Sequence, residues 1–219
     1  MLVLAFDTAT PAVTAAVHDG ERVLAERTTV DARRHGELLA PTIEAVLKDA
    51  GVALRDVTAI VSGSGPGPYT GLRVGLVTAQ ALSSATGAPA YGVCTLDVLA
   101  HSVVTSGAVS GPFLVATDAR RKEVFWAAYD ADGTRTSGPA VDRPSALPEG
   151  PPVAGAGARL YAEVIGPGRV IDPEYPSGGA LAALVAGRLA AGVEPGPPRP
   201  IYLRRPDARV PGPPKKVTA

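Results

Sequence analysis

The sequence predicts an α/β protein made of two subdomains, each built around a β-hairpin. Short apolar runs alternate with segments of helical periodicity, and the hairpin pattern occurs once in each half of the chain. A segment rich in serine and glycine at 106–112 separates the halves. We therefore predict an N-terminal subdomain over 1–107, a smaller C-terminal subdomain over 108–205 and a flexible tail over 206–219.

The first half of the chain predicts a strand-rich start followed by alternating helices and strands. Pro41 lies inside the first helical pattern, and Gly51 can end it. Thr70 is the predicted N-cap of the second helix, which Gly87 can end. The predicted strands are 2–6, 12–18, 22–29, 57–62 and 89–93, and the predicted helices are 35–50, 70–85 and 96–104.

The second half predicts a second hairpin and one long helix. Proline-rich residues 137–152 are predicted to form a loop, and Ser177 is the predicted N-cap of the last helix. The predicted strands are 112–119, 123–129 and 153–157, and the predicted helix covers 178–191.

The two predicted hairpins resemble each other. In both, an apolar strand ends in aspartate, a short polar turn follows, and a second strand leads to a turn with Asp and Gly. This spacing carries more weight than identity, because only four positions are identical from the first aspartate to the second turn of each hairpin, over 7–19 and 118–130. The aligned identities are Asp7 with Asp118, Val13 with Val124, Ala16 with Ala127, and Asp19 with Asp130.

Two facing turns that begin with aspartate can clamp the phosphates and the metal ion of a nucleotide. The pattern resembles the actin, sugar-kinase and Hsp70 superfamily, whose subdomains have a ribonuclease H-like fold. The candidate phosphate-binding residues are Asp7, Thr8, Asp118 and Arg120. Ala9 stands where the superfamily has glycine, which indicates a degenerate site. The alternative is two unrelated hairpins whose aspartates cap their turns.

Composition limits the classes of function. The chain has 21 basic and 21 acidic residues, a formal net charge of zero and 5% aromatic residues. A protein that binds the phosphate backbone of a nucleic acid by itself is usually basic, so any nucleic acid is expected to be held mainly by a partner. One cysteine, Cys94, excludes an internal disulfide and a cysteine-based zinc site. The short apolar start predicts a cytoplasmic protein without a signal peptide or membrane span.

The glycine–proline segment 63–71 lacks the lysine of a P-loop and the glycine spacing of a dinucleotide fingerprint. It belongs to a longer string, SGPGPYTGLRVG at 64–75, and further distinctive segments accompany it: AFDTAT at 5–10, RHGELLAP at 34–41, PAYGV at 89–93, DAR at 118–120, EVF at 123–125 and PIYLR at 200–204. With these segments the sequence resembles the TsaB (YeaZ) family over nearly the whole chain.

The resemblance implies a non-catalytic subunit needed to form N6-threonylcarbamoyladenosine beside the anticodon of tRNAs that read codons beginning with A. It implies a heterodimer with a metal-bearing TsaD-like transferase, joined by a TsaE-like ATPase, with tRNA held through the complex. ATP and metal are then expected on the partner subunits and no cofactor on this chain. A homodimer is the alternative assembly. An independent ATP-dependent small-molecule kinase is the alternative function.

The metal site of the TsaD family has no counterpart in the sequence. That family carries a His-x-x-x-His pair after the strand ending in Gly-Val, because histidines four apart share a helix face. The corresponding positions here are Thr95 and Leu99. The three histidines, His18, His35 and His101, do not reproduce the pattern, and no catalytic triad supports a peptidase.

The resemblance also implies a partner surface formed by the first two helices. We expect Leu39→Asp or Leu76→Asp to abolish pairing while the monomer stays folded, and we place a contact with the ATPase subunit at Tyr202 and Arg204. The predicted partner-interface residues are His35, Leu39, Ile43, Leu47, Leu72, Leu76 and Ala79.

Overall fold

The computed structural model describes residues 1–204, so the predicted tail at 206–219 lies outside the described residues. The N-terminal half forms a five-stranded sheet in the order β3-β2-β1-β4-β5. The first three strands are antiparallel, and β4 and β5 run parallel to β1. The strands are β1 (Val3–Asp7), β2 (Ala12–His18), β3 (Val23–Val30), β4 (Ala59–Gly63) and β5 (Ala90–Val93).

The second sheet has the same topology in the order β10-β9-β6-β7-β8. The loop predicted over 137–152 is partly wrong, because most of strand β8 lies in that segment. Gly138 and Pro139 fall at a register irregularity of this edge strand, where a proline is tolerated. The strands are β6 (Phe113–Asp118), β7 (Val124–Tyr129), β8 (Arg135–Asp142), β9 (Val153–Ala154) and β10 (Val170–Ile171).

The duplicated hairpin is present, but its register differs from the sequence alignment. Asp7 pairs with Thr14 across the first hairpin, and Asp118 pairs with Val124 across the second. The second turn is therefore one residue shorter, and Val124 corresponds to Thr14 rather than to Val13. A one-residue shift moves each side chain to the other face of a strand. The identities aligned on the second strand are thus not structurally equivalent.

Six α-helices accompany the sheets in the part of the chain that the structure describes. The first ends at Gly51, whose φ of 69° is left-handed, as predicted. The Thr70 cap is wrong: the N-cap position of the second helix is Pro68, and no side chain caps it. Ser177 accepts a hydrogen bond from the Ala180 N–H, as a cap should. The helices are α1 (His35–Ala50), α2 (Tyr69–Thr86), α3 (Thr95–Thr105), α4 (Ala156–Leu160), α5 (Ala162–Ile165) and α6 (Gly178–Ala190).

The first sheet is covered by helices on both faces, so β1 and β2 are buried throughout. Apolar residues of α1 and α2 pack on one face, together with Phe6 and Ile60. On the other face, Leu181 and Val185 of α6 pack against Val3. The last helix therefore returns to the first sheet, although it follows the second sheet in the sequence. The subdomain boundaries themselves stay a prediction.

Helix α3 lies between the two sheets. Its Leu96 and Leu99 are fully buried and pack with Phe113 and Val115 of the second sheet. Its Val98 packs with the first sheet. The start of α3 follows β5, whose carboxyl end faces the cleft between the subdomains. None of the helices described by the structure is long and apolar enough to cross a membrane.

Candidate functional site: the cleft between two aspartate turns

Asp7, the first predicted phosphate ligand, is fully buried. Its Oδ1 accepts a hydrogen bond from the Ala9 N–H at 2.7 Å, and Thr95 Oγ1 donates to its Oδ2 at 2.8 Å. A Cβ at Gly63 would lie 2.0 Å from Oδ2, so a glycine is needed beside the carboxylate. Desolvation by burial raises the pKa of Asp7 to about 6. The carboxylate therefore faces protein atoms rather than an open cleft.

Thr8, the second predicted ligand, is also buried and bonded to protein atoms. Its Oγ1 donates to the Gly71 carbonyl at 2.7 Å and accepts from the Gly75 N–H at 3.0 Å. The side chain is 1% exposed. Both partners belong to α2, and a Cβ at Gly75 would lie 2.7 Å from the threonine oxygen. Thr8 therefore anchors the start of α2 to the first hairpin.

The glycine–proline loop covers the turn that would receive a phosphate. A Cβ on Gly67 would lie 2.0 Å from the Ala9 carbonyl oxygen, so the two backbones are in direct contact. Ala9 is itself buried, next to Leu72 and Leu76 of α2. Backbone groups that bind phosphate in an open turn are thus occupied or covered here. The first turn has the position of a phosphate site without its accessibility.

This contact makes a first testable prediction. Gly67→Ala should lower the free energy of unfolding by about 1–3 kcal/mol, because the new methyl group overlaps backbone atoms of the turn. Urea denaturation of the purified chain measures the change. Gly111→Ala is the matched control, since a Cβ there meets nothing within 4 Å and should be neutral or slightly stabilising. Equal stability of the Gly67 variant would show that the loop does not press on the turn.

The second turn also begins with an aspartate, and it is more open. Asp118 Oδ1 accepts from the Arg120 N–H at 2.8 Å, and its Oδ2 lies 3.5 Å from the Arg120 guanidinium. Both aspartates thus accept from the N–H two residues ahead, which is how aspartate caps a turn. Turn capping therefore accounts for both aspartates without a nucleotide.

The second turn also has an unusual backbone. Three consecutive residues are left-handed, with φ of 60° at Arg120, 57° at Arg121 and 61° at Lys122. Side chains other than glycine rarely adopt this region, and such strain concentrates at functional sites. The turn presents three cationic side chains to solvent at the edge of the cleft.

The positions that correspond to the TsaD histidine pair are both used for folding. Thr95 is fully buried and bonded to Asp7, and Leu99 is fully buried in the core. His35 Nε2 lies 2.8 Å from the Thr10 carbonyl, and His18 Nδ1 accepts from the Gly20 N–H. Burial lowers the pKa of His101, which lies near Arg188. Over residues 1–204, no group of three or more His, Cys, Asp or Glu side chains could hold a metal ion.

The predicted partner-interface residues require a correction. Each side chain in the set is at most 9% exposed, and most of them belong to the hydrophobic cores under α1 and α2. They cannot form a surface for a partner while the monomer is folded. Leu39→Asp and Leu76→Asp would therefore damage the monomer as well. The buried set is His35, Leu39, Ile43, Leu47, Leu72, Leu76 and Ala79.

The segment after α6 returns to the cleft as an extended strap over residues 193–204. The Gly92 N–H donates to the Gly196 carbonyl, and the Ile201 N–H donates to the Ser64 carbonyl. A Cβ on Gly92 would lie 2.7 Å from the Cα of Pro198. The strap is therefore held closely against the first subdomain before it reaches the cleft.

The end of the strap contains Tyr202 and Arg204. The Tyr202 ring lies 4.9 Å from the Tyr69 ring, and its hydroxyl accepts from Arg73 Nε at 3.0 Å. Arg204 pairs with Glu123 and donates to the Ala119 carbonyl, both in the second subdomain. Arg204 thus joins the strap to the second turn, and its charge is matched by a carboxylate.

A polar cluster that the sequence did not reveal links α3 to the second sheet. Tyr129 Oη donates to Asp97 Oδ1 at 2.8 Å, and Arg135 Nε lies 3.6 Å from the same oxygen. Arg135 also approaches the Cys94 sulfur at 3.7 Å. Burial raises the pKa of Cys94 to about 12, so the thiol is not a nucleophile at neutral pH. The cluster fixes the relative position of the subdomains.

Two cavities open beside the second turn and share Pro68 and Arg120 in their walls. One, of about 250 Å³, lies between the glycine–proline loop, the turn and the strap. The other, of about 350 Å³, lies between the first hairpin and the start of α2 and is also lined by Arg33. Sequence patterns missed Arg33 and Tyr69, because only folding brings them to the cleft.

Two sheets of one topology, related as a duplicated pair around a cleft, define an actin-like protein of the two-subdomain type. Each of its two aspartate turns follows the first strand of a hairpin, at Asp7 in one sheet and Asp118 in the other.

The comparisons with known proteins agree with this class. Residues 22–186 match the family model described as TsaD: tRNA N6-adenosine threonylcarbamoyltransferase. The structure of YeaZ from Pseudomonas aeruginosa superposes with a TM-score of 0.78 at 31% identity, covering 92% of this chain and 99% of that one. The chain belongs to this family, on its TsaB/YeaZ branch.

Relatives found by sequence support the same assignment. An uncharacterized protein of Mycobacterium tuberculosis is 48% identical over 210 residues, which is 94% of this chain and 93% of that protein. The tRNA threonylcarbamoyladenosine biosynthesis protein TsaB of Escherichia coli is 36% identical over 132 residues, 60% of this chain and 56% of that protein.

Proposed function

We propose that this chain is a non-catalytic subunit in the biosynthesis of N6-threonylcarbamoyladenosine in tRNA. The observation that carries the proposal is the covered first turn, in which Asp7 and Thr8 are buried by the protein's own loop and helix. Membership of the TsaB/YeaZ family supports the pathway, because relatives of that branch are named for it. In this proposal the chain provides a binding surface for a partner subunit, and the partner carries the catalytic residues.

The partner that best fits is a TsaD-like transferase, assisted by a TsaE-like ATPase. The family model that matches this chain is that of the transferase, which supports pairing between two related folds. We propose that ATP and the metal ion bind to those subunits. We also propose that the modified tRNAs are those that read codons beginning with A. Arg204 already pairs with Glu123 and donates to the Ala119 carbonyl within the chain, so an ATPase contact at this residue would compete with those bonds.

The exposed side of the helix pair is the surface we assign to the transferase. Val77 of α2 is 62% exposed, the highest fraction among the large hydrophobic side chains of residues 1–204. Ala40 and Pro41 of α1 and Ala81 of α2 are also exposed. Small side chains allow helices of two subunits to approach closely. This surface replaces the buried residues predicted from the sequence.

Reconstitution of threonylcarbamoyl transfer tests the function. With the transferase, the ATPase, threonylcarbamoyl-adenylate and substrate tRNA present, we expect transfer to require this chain. The Asp7→Asn chain should support transfer as well as the natural chain, because Asp7 is buried. Transfer measured by incorporation of labelled threonine gives the result.

The kinase alternative makes the opposite prediction for the same variant. An ATP-dependent enzyme would use the aspartate of the first turn for its metal and phosphates. ATP turnover by the pure chain that is lost in Asp7→Asn would favour the kinase. Full transfer without the chain would exclude the subunit role.

A further inference from the structure

We propose that the mouth of the cleft is a contact surface for a single-stranded segment of RNA. The surface consists of Arg33, Arg120, Lys122 and the paired rings of Tyr69 and Tyr202, and we call it the cleft-mouth surface. The inference rests on the proposed function, because it places part of the RNA on this subunit. It also revises the expectation from the zero net charge that a partner holds the nucleic acid.

The charge around the cleft is unevenly distributed. Arg33 and Arg120 are exposed and line the two cavities, and the exposed Lys122 follows in the same turn. Within residues 1–204, no aspartate or glutamate lines either of the two adjoining cavities. The nearby carboxylates lie outside the cavity walls, with Asp118 beside Arg120 and Glu123 beside Arg204. A neutral protein thus presents a local cationic surface, which attracts a polyanion.

The backbone of the second turn projects these charges. Arg120 and Lys122 are held in left-handed conformations with φ of 60° and 61°, and solvent reaches both side chains. A glycine would adopt such a turn without strain, yet the chain places cations there. Backbone strain concentrates at functional sites, and the ligand that matches an exposed cationic turn is an anion.

The aromatic part of the surface suits a base rather than a carboxylate. Tyr202 is 43% exposed as a residue, its ring centroid lies 4.9 Å from that of Tyr69, and its hydroxyl accepts from Arg73 Nε. The Arg73 guanidinium lies 5.6 Å from the Tyr69 ring and 5.8 Å from the Tyr202 ring. A fixed, exposed ring beside cations is the arrangement on which unpaired bases stack while phosphates contact the cations.

The sequence that follows the strap is also basic. The described part of the chain ends at Arg204, in the wall of the cavity. The residues after it include four cations against one acidic residue, Asp207. Two adjoining concavities and this basic sequence favour an extended polyanion over a single phosphate group. The four cations are Arg205, Arg209, Lys215 and Lys216.

The experiment measures binding of a short fluorescein-labelled single-stranded RNA to the isolated chain at low salt, by fluorescence anisotropy. Replacing Arg33, Arg120 and Lys122 with alanine should lower the affinity about tenfold or more. The matched control replaces Arg22, Lys48 and Arg55, which are exposed and line neither cavity. These remove the same charge and should change the affinity less than about twofold.

Two further measurements distinguish binding at the cleft-mouth surface from nonspecific electrostatic attraction between the RNA and the protein. The slope of log K against log salt should fall by about 2 in the cleft triple variant, as expected when three phosphate contacts are lost. Tyr202→Ala should lower the affinity about fivefold, whereas Tyr202→Phe should retain most of it because the ring is kept.

Three outcomes would overturn the proposal: equal losses in the cleft and control triples, no binding at low salt, or displacement of the RNA by a poly-glutamate peptide as effectively as by unlabelled RNA. The last would identify an acidic protein segment as the occupant. The binding assay contains no transferase, so its failure leaves the reconstitution result unaffected. If the chain is required for transfer but binds no RNA, the proposed subunit role stands and the RNA-binding proposal falls.

Discussion

Asp7→Asn is expected to stabilise the protein by about 3 kcal/mol above pH 6. The Asp7 carboxyl is fully buried, and desolvation raises its pKa from 3.8 to about 6. Asparagine keeps an oxygen for the Ala9 N–H and has an amide that can donate to Thr95 Oγ1. The variant therefore removes the cost of a buried charge and keeps the bond from Ala9. The bond with Thr95 is reversed, so that the threonine hydroxyl accepts from the amide as it already does from the Gly65 N–H.

The pH dependence gives the sign of this effect. Between pH 3.8 and about 6 the folded state binds the proton of Asp7 more tightly than the unfolded state does. Its contribution to stability is therefore greatest below pH 3.8, falls as the pH rises through this window, and is constant above it. The asparagine variant lacks this contribution, so the two proteins should differ least at low pH and most above pH 6.

Urea denaturation at a series of pH values measures both curves. Asp118→Asn is the control, because it changes the equivalent residue of the second turn, where solvent reaches the carboxylate and Arg120 lies beside it. We expect a change of less than about 1 kcal/mol there. A loss of stability in the Asp7 variant at neutral pH would mean that the charged form of Asp7 is held favourably. That result would reopen the first turn as a cation- or metal-linked site.

The sequence predicts the fold well because the hairpins carry local signals. Apolar runs that end at Asp7 and Asp118 identify the first strand of each half, and the structure confirms both. The register of the second strands does not follow from identity, because one residue fewer in the second turn shifts Val124 by one position. Such a shift is set by the geometry of the turn, to which an alignment of a few identities is insensitive.

The candidate site was harder to predict, because its state depends on contacts distant in sequence. Asp7 and Asp118 both end an apolar strand, but only Asp7 is enclosed. Its carboxylate accepts a hydrogen bond from Thr95 and packs against Gly63, where any side chain would overlap it. The strap brings Tyr202 to Tyr69, and no periodic pattern indicates such a contact. Local patterns locate turns and strands, whereas tertiary packing decides which of them remain accessible.

The partner surface likewise could not be located from local sequence patterns. The apolar stripe of a helix that packs on a sheet is normally its core face, and the structure places Leu39 and Leu76 there. The surface available to a partner lies on the opposite side, where the residues are small, polar or isolated. Periodicity therefore identified the buried face of these helices, and the accessible face around Val77 became visible only in the fold.

Leu39→Asp is accordingly expected to unfold the monomer. The side chain is 1% exposed within the core under α1, so the substitution leaves a cavity and buries a carboxylate without a partner. We expect a loss of at least about 4 kcal/mol, a large part of the stability of a typical domain. Circular dichroism with thermal denaturation measures this loss.

Val77→Asp should have the opposite result, a folded monomer that no longer pairs. Val77 is 62% exposed, so the free energy of unfolding should change by less than about 0.5 kcal/mol. A carboxylate buried without a partner between subunits would oppose association with the transferase. Val164→Asp is the matched control, because this valine is also in a helix and 56% exposed, but lies in the second subdomain. Light scattering after gel filtration should show the heterodimer for the control and separate subunits for Val77→Asp; a heterodimer in both would place the partner on another surface.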